Sequence, residues 1–78
     1  MEQQLKELIV NNLFLDIDPS EIDNTTPLSD YGVDSFLLLE VIVGIEEMFN
    51  VKFEQTDINA ETLESVASMT AAIKAKMN

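Results

Sequence analysis

DSFLLLEVIVGIEEMF, residues 34–49, is the stretch whose reading decides the fold. At about 100° per residue, Leu38, Val41, Ile42, Ile45 and Phe49 share one face, and that face is assigned to the core. Asp34 or Ser35 suits the first turn, where a side-chain oxygen can accept from free amides, and Asn50 suits the end. A helix from Ser35 to Phe49 is therefore predicted. The run from Phe36 to Ile45 contains Glu40 and is about half of the ~20 residues that a membrane-crossing helix needs, so it reads as a packing helix. Its outer face presents Phe36, Leu39 and Val43 beside Glu40, Glu46 and Glu47. Extra core in a crowded bundle and a docking surface both fit such a strip.

Upstream, apolar residues at Leu5, Leu8, Ile9 and Leu13, with Phe14 beside them, predict a first helix over Glu2 to Phe14. Leu15 to Asp34 holds Pro19, Pro27 and Gly32 among Asp, Ser, Asn and Thr, which reads as a long loop. A loop of that length needs pins in a small domain, and Ile17, Ile22, Leu28 and Val33 supply candidates. Downstream, Val51 to Phe53 alternates like a strand but has no second strand to pair with, so it reads as an extended link. Thr56 or Asp57 caps a short third helix reaching about Glu61, with Ile58 inward. A fourth helix opens at Ser65, keeps Val66, Met69 and Ile73 on one face, and ends near Met77. Residues 1–78 thus read as one all-α domain, a small four-helix bundle with a long loop between helices one and two.

Composition narrows the chemistry. With no Cys and no His, the chain lacks thiolate nucleophiles, imidazole bases and most zinc ligands. Fifteen acids against four lysines give a net charge of −11, a field that makes nucleic acid and membrane surfaces poor partners. The same charge favours encounter with basic patches on other proteins. The N-terminus turns amphipathic at once, with no cationic and apolar leader, so a cytoplasmic location is expected. Asp16, Asp18 and Ser20 alternate like calcium ligands, but Glu21 stands where the loop needs glycine and Pro27 where it needs a bidentate glutamate. No metal site and no enzymatic centre is expected, because Ser35 has no base to activate it.

The string Asp30-Tyr31-Gly32-Val33-Asp34-Ser35-Phe36 places a hydroxyl at a helix start just after a glycine that permits a tight turn. Read alone, such a serine is an ordinary cap. The string resembles the Asp-Leu-Gly-x-Asp-Ser-Leu signature of acyl carrier proteins, and the likeness continues through Glu40, Glu46, Glu47 and Phe49. The resemblance implies a non-catalytic carrier whose 4'-phosphopantetheine arm is attached to Ser35 and holds acyl groups as thioesters. It implies a phosphopantetheinyl transferase, acyltransferases, ketosynthases and other acyl-processing enzymes as partners of a monomer. Asp34, Phe36, Leu39, Glu40, Val43, Glu46 and Glu47 would form the docking surface, with Asp34 also available to the transferase's Mg²⁺. Met48, Met69 and Met77 read as core that would line a space for the acyl chain if they face inward.

The departures carry information too. Tyr31 replaces the signature's first leucine, Phe36 its second, and Leu37 an aspartate often found there. A more apolar start to the second helix favours a polyketide or other specialised pathway over primary fatty acid synthesis. Gly32-Val33-Asp34 lacks the paired glycines usual in peptidyl carriers, which disfavours that branch without removing it; an aminoacyl, D-alanyl (where Asp-Ser-Phe can occur) or peptidyl carrier stands as the alternative. A helical interaction bundle with no prosthetic group is the remaining alternative.

Overall fold

The computed structural model describes residues 1–77, Ser35 through its backbone alone. It contains helices α1 (Glu2–Leu13), α2 (Ser35–Phe49) and α3 (Val66–Met77), joined by segments with three short 3₁₀ turns. No strand occurs among the described residues, and the extended link at Val51–Phe53 is as expected.

Local chemistry accounts for the helix ends. Asp34 is extended, and its carboxylate accepts the Leu37 amide at 2.9 Å, which occupies one of the free donors of the first turn of α2. Asn50 closes the same helix in a left-handed conformation, its amide donating to the Glu46 carbonyl. Ser65 and Ser68 cap α3 reciprocally, each amide donating to the other's hydroxyl. That helix accordingly starts one residue after the expected Ser65.

The core is built from Leu5 and Ile9 of α1, Leu38, Val41, Ile42 and Ile45 of α2, and Val66, Met69 and Ile73 of α3. Phe49 packs against it but remains half-buried. Of the three methionines read as core, only Met69 is; Met48 and Met77 are exposed, because they fall on the outer arcs of their helices.

The long loop is pinned as the sequence predicts. Ile22, Leu28 and Val33 are buried, and Ile17 is half-buried. Burying one such side chain contributes about 1.5–3 kcal/mol, so three together exceed the roughly 3 kcal/mol length-dependent cost of closing a loop of this size. Two backbone hydrogen bonds then strap the loop to the head of α3: Leu28 N–H to the Glu64 carbonyl and Ala67 N–H to the Asn24 carbonyl, both 2.7 Å. Within the loop, the Asp18 carboxylate accepts from the amide and hydroxyl of Ser20, bonds that hold its pKa below the ordinary value. Asp18 caps the turn Pro19–Glu21.

Two expectations are corrected. The short third helix, expected to be capped by Thr56 or Asp57 and to reach about Glu61, forms earlier, as a 3₁₀ turn at Gln55–Asp57 capped by Glu54, and is followed by a turn closed by Leu63 N–H to the Asn59 carbonyl. Asn59 fixes this geometry, its side chain bonding the Thr56 carbonyl and the Thr62 amide, and Ile58 is consequently turned outward, 37% exposed. At the other correction, α1 stops at Leu13. Phe14 takes the left-handed region (φ 52°) and stands 91% exposed, off the apolar face to which its spacing assigned it.

A bulky residue is disfavoured in the left-handed region by about 1–2 kcal/mol, and an exposed Phe14 ring recovers little of that through packing. Phe14→Gly is therefore expected to raise unfolding free energy by about 1 kcal/mol, read from the midpoint of urea denaturation; a loss of stability would contradict it. A second expectation concerns acid. Lys76, which also lies 5.4 Å above the Phe53 ring, hydrogen-bonds Asp57 and holds that carboxyl below its ordinary 3.8. A depressed folded pKa adds stability above the unfolded value and loses it as pH falls through the folded value. Asp57→Asn should thus lower stability at neutral pH and flatten the loss below about pH 3.8, as followed by denaturation at stepped pH.

Candidate functional site at the head of helix α2

The head of α2 is delivered by a short sequence of backbone constraints. A 3₁₀ turn at Leu28–Tyr31 ends on Gly32, whose amide bonds back to Leu28 and Ser29. Gly32 has φ +81°, and a Cβ added there would meet nothing within 4 Å, so the backbone angle and not crowding calls for glycine. Val33 then turns into the core and Asp34 caps the helix. Ser35, the sequence-predicted attachment residue, follows as the first residue of α2, and its side chain lies outside the described residues.

Tyr31 adds a constraint that the sequence reading did not find. Its ring packs against the core while its hydroxyl accepts the Asp23 amide at 2.9 Å, joining the start of the loop to the turn before Gly32. No local pattern links positions eight residues apart in a loop, so only the fold reveals the pair.

Electrostatically, the first turn of α2 presents the positive end of the helix dipole. The Asp34 carboxylate takes the Leu37 amide, and its carbonyl takes that of Leu38 at 3.2 Å. The Phe36 amide has no acceptor among the described residues. An anion esterified at this turn would meet that donor and the positive end of the dipole. The residues present fit such a group.

Beside this turn the surface is apolar. Phe36 is 80% exposed, and with Leu39 it faces Ile58, Ala60 and Leu63 across an open cleft of about 280 Å³. Ala60 and Leu63 also wall a second cleft, about 410 Å³, running past Leu38 to Pro27 and Asp34. The outer strip of α2 is therefore surface and not extra core, with Leu39 and Val43 exposed along with Glu40 and Glu47.

Glu46 behaves differently from the other two glutamates. It is half-buried, and its carboxylate accepts the Phe53 amide at 2.8 Å, so it anchors the extended link that follows α2. The structure thus brings Asp34, Phe36 and Leu39 together near Ser35, sets Glu40, Val43 and Glu47 further along the same helix, and gives Glu46 a structural contact.

Comparison with known proteins agrees with this geometry. A family model described as the phosphopantetheine attachment site matches residues 3–73. The chain is 35% identical over 77 residues to an acyl carrier protein of Chlamydia caviae, spanning 97% of this chain and 95% of that protein. It is 35% identical over 74 residues to one from Buchnera aphidicola, spanning 95% and 91%. Among solved structures, it superimposes with TM-score 0.83 on holo acyl carrier protein NE2163 from Nitrosomonas europaea, at 20% identity and covering 97% and 94% of the two chains. A TM-score of 0.84 relates it, at 23% identity over 95% and 99%, to a chain from the complex of an engineered Bradyrhizobium japonicum glycine:[carrier protein] ligase with a carrier protein from Agrobacterium tumefaciens and AMP. At these identities the structural likeness concerns the fold.

The two kinds of glutamate are separable by experiment. Glu46→Ala leaves the partly buried Phe53 amide without its acceptor and should cost about 1–3 kcal/mol, whereas Glu47→Ala, on the exposed strip, should change stability by less than about 0.5 kcal/mol. Equal effects in urea denaturation would refute the distinction.

Proposed function

The chain belongs to the acyl carrier proteins, the family built around a phosphopantetheine attachment site, and on that premise we propose that Ser35 is its attachment residue. Carriers of this family do not catalyse; phosphopantetheine is their prosthetic group. When bound, the group supplies the terminal thiol that a polypeptide without cysteine lacks, and acyl groups ride on it.

The observation that carries the reading is the backbone at the head of α2. Left-handed Gly32, buried Val33 and capping Asp34 lead directly into Ser35 as the first helical residue. An anion attached at that position would lie at the positive end of the helix dipole, which supports a negative charge by about 0.3–1 kcal/mol when exposed. One Asp34 oxygen is held by Leu37; the carboxylate's other oxygen is available to the Mg²⁺ that the transferase reaction employs.

Partner enzymes dock, in this reading, on the exposed strip of α2 through Phe36, Leu39, Val43, Glu40 and Glu47, with Asp34 beside the arm and Glu46 contributing its charge from behind. The partners are a phosphopantetheinyl transferase, then acyltransferase, ketosynthase and other acyl-processing enzymes. A surface that mixes apolar side chains with carboxylates suits fast steered encounter and release. Tyr31, Phe36 and Leu37 favour a polyketide or other specialised pathway over primary fatty acid synthesis. The shared Asp34-Ser35-Phe36 string, with Phe36 80% exposed beside the arm, supports an aminoacyl or D-alanyl cargo as the second reading.

Incubation with coenzyme A, Mg²⁺ and a broad-specificity phosphopantetheinyl transferase should add the mass of one phosphopantetheine to the chain, mapped by peptide mass spectrometry to Ser35. Ser35→Ala should gain none. No gain by the unaltered chain, or a gain elsewhere, would overturn the assignment. Intact mass of the holo form from its native cell then separates acyl from aminoacyl cargo.

A further inference from the structure

The backbone that leads into Ser35 passes through a joint whose direction the joint itself leaves open. Gly32 has φ +81°, and a residue without a Cβ accepts either sign of φ, so the course of the chain beyond it is set by what its neighbours are fastened to. On the far side Val33 is buried in the core. On the near side lies the 3₁₀ turn Leu28–Tyr31.

Among the described hydrogen bonds, two join that turn to distant parts of the chain. At its entry, Leu28 N–H donates to the Glu64 carbonyl at 2.7 Å. At its exit, the Tyr31 hydroxyl accepts the Asp23 amide at 2.9 Å. Asp23 is itself held from both sides, because Ile22 is buried and the Asn24 carbonyl accepts the Ala67 amide of α3 at 2.7 Å. The hydroxyl therefore ties the residue just before the glycine joint to a segment anchored in the core and on α3. Fastened at Leu28 alone, the turn could pivot about that point; the second fastening removes the pivot. A phenylalanine at position 31 would still pack against the core, but it would leave the Asp23 amide to water.

We propose that Tyr31 is a positioning residue for the modification of Ser35, acting through the bond from the Asp23 amide to its hydroxyl, which holds Gly32, Val33 and Asp34 in the course that presents the head of α2. This rests on the carrier reading for the reaction, whereas the fastening stands on the fold. In that reaction the Ser35 hydroxyl oxygen bonds to the phosphorus next to the pantetheine of coenzyme A. The pyrophosphate P–O bond breaks, adenosine 3',5'-bisphosphate leaves with the electron pair, and the hydroxyl proton passes to a base of the transferase. Tyr31 touches none of these atoms; it sets how consistently the nucleophile's backbone stands where the transferase needs it. Its loss acts on turnover in the docked complex and leaves the exposed strip of α2 unaltered.

The test measures the rate of phosphopantetheine transfer from coenzyme A, with Mg²⁺ and a broad-specificity transferase, against the concentration of the unaltered chain, Tyr31→Phe and Tyr31→Leu. Both variants should lose about three- to tenfold in kcat, the factor that one neutral hydrogen bond is worth in an equilibrium. KM for the carrier should stay within about twofold, since docking is unaltered. Amide hydrogen exchange gives a readout without the enzyme: in Tyr31→Phe the Asp23, Gly32 and Val33 amides should exchange at least about threefold faster, with those of Ile9 and Ile42 unchanged. Unchanged kcat in Tyr31→Phe, a loss confined to Tyr31→Leu, a rise in KM at constant kcat, or faster exchange throughout the core would each overturn the positioning role while leaving the carrier reading intact. Failure of the unaltered chain to load at Ser35 would instead remove the carrier reading, and the role of Tyr31 with it.

Discussion

Helix α2 carries more apolar surface than so small a chain can cover, and the rest of the molecule is arranged around that excess. Leu38, Val41, Ile42 and Ile45 are buried by α1, α3 and the pinned loop, while Phe36, Leu39, Val43 and Met48 stay in contact with water. With one modest core available at this length, no further layer exists to bury them. Leaving a contiguous apolar strip exposed is unfavourable for a solitary protein and useful for one that must meet others. The high negative charge is the complement of that choice: it keeps exposed apolar strips of different copies apart while biasing encounters toward cationic surfaces.

The site at the head of this helix depends on backbone geometry more than on side-chain chemistry. A left-handed glycine, a buried valine and a capping aspartate fix where the helix begins. Tyr31 and the two backbone bonds to the head of α3 keep the preceding loop from shifting. Nothing in this arrangement requires a polarised nucleophile or a shifted acid. With Ser35 as the proposed attachment point, a rigid helix start would present it the same way to each enzyme in turn.

Where structure follows from neighbouring residues, the sequence was sufficient. The limits of α2, its Asp34 and Asn50 caps, the three buried loop pins and the apolar face of α3 all depend on periodicity or on side chains within a turn of their partners. The motif around Ser35 was legible for the same reason. What escaped reading was set by contacts between distant positions. Glu46 looks like any exposed helix glutamate until Phe53 is folded back over it, and the Tyr31–Asp23 bond has no local signature. Phe14 fits the spacing of α1, but the chain must reverse there, and the left-handed turn takes it out of the helix. Ile58 follows an inward pattern only if an α-helix forms, and the bonds made by Asn59 favour tighter turns instead.

The double strap between the loop and α3 has a mechanical consequence. Since Asn24 and Leu28 are fastened to Ala67 and Glu64, and Tyr31 to Asp23, the loop is not a slack hinge. Tension applied through the start of α2 is passed along these fastenings to the far helix. With the arm on Ser35 as proposed, a tug on its load would be shared by the whole scaffold, and the molecule would act as a stiff handle.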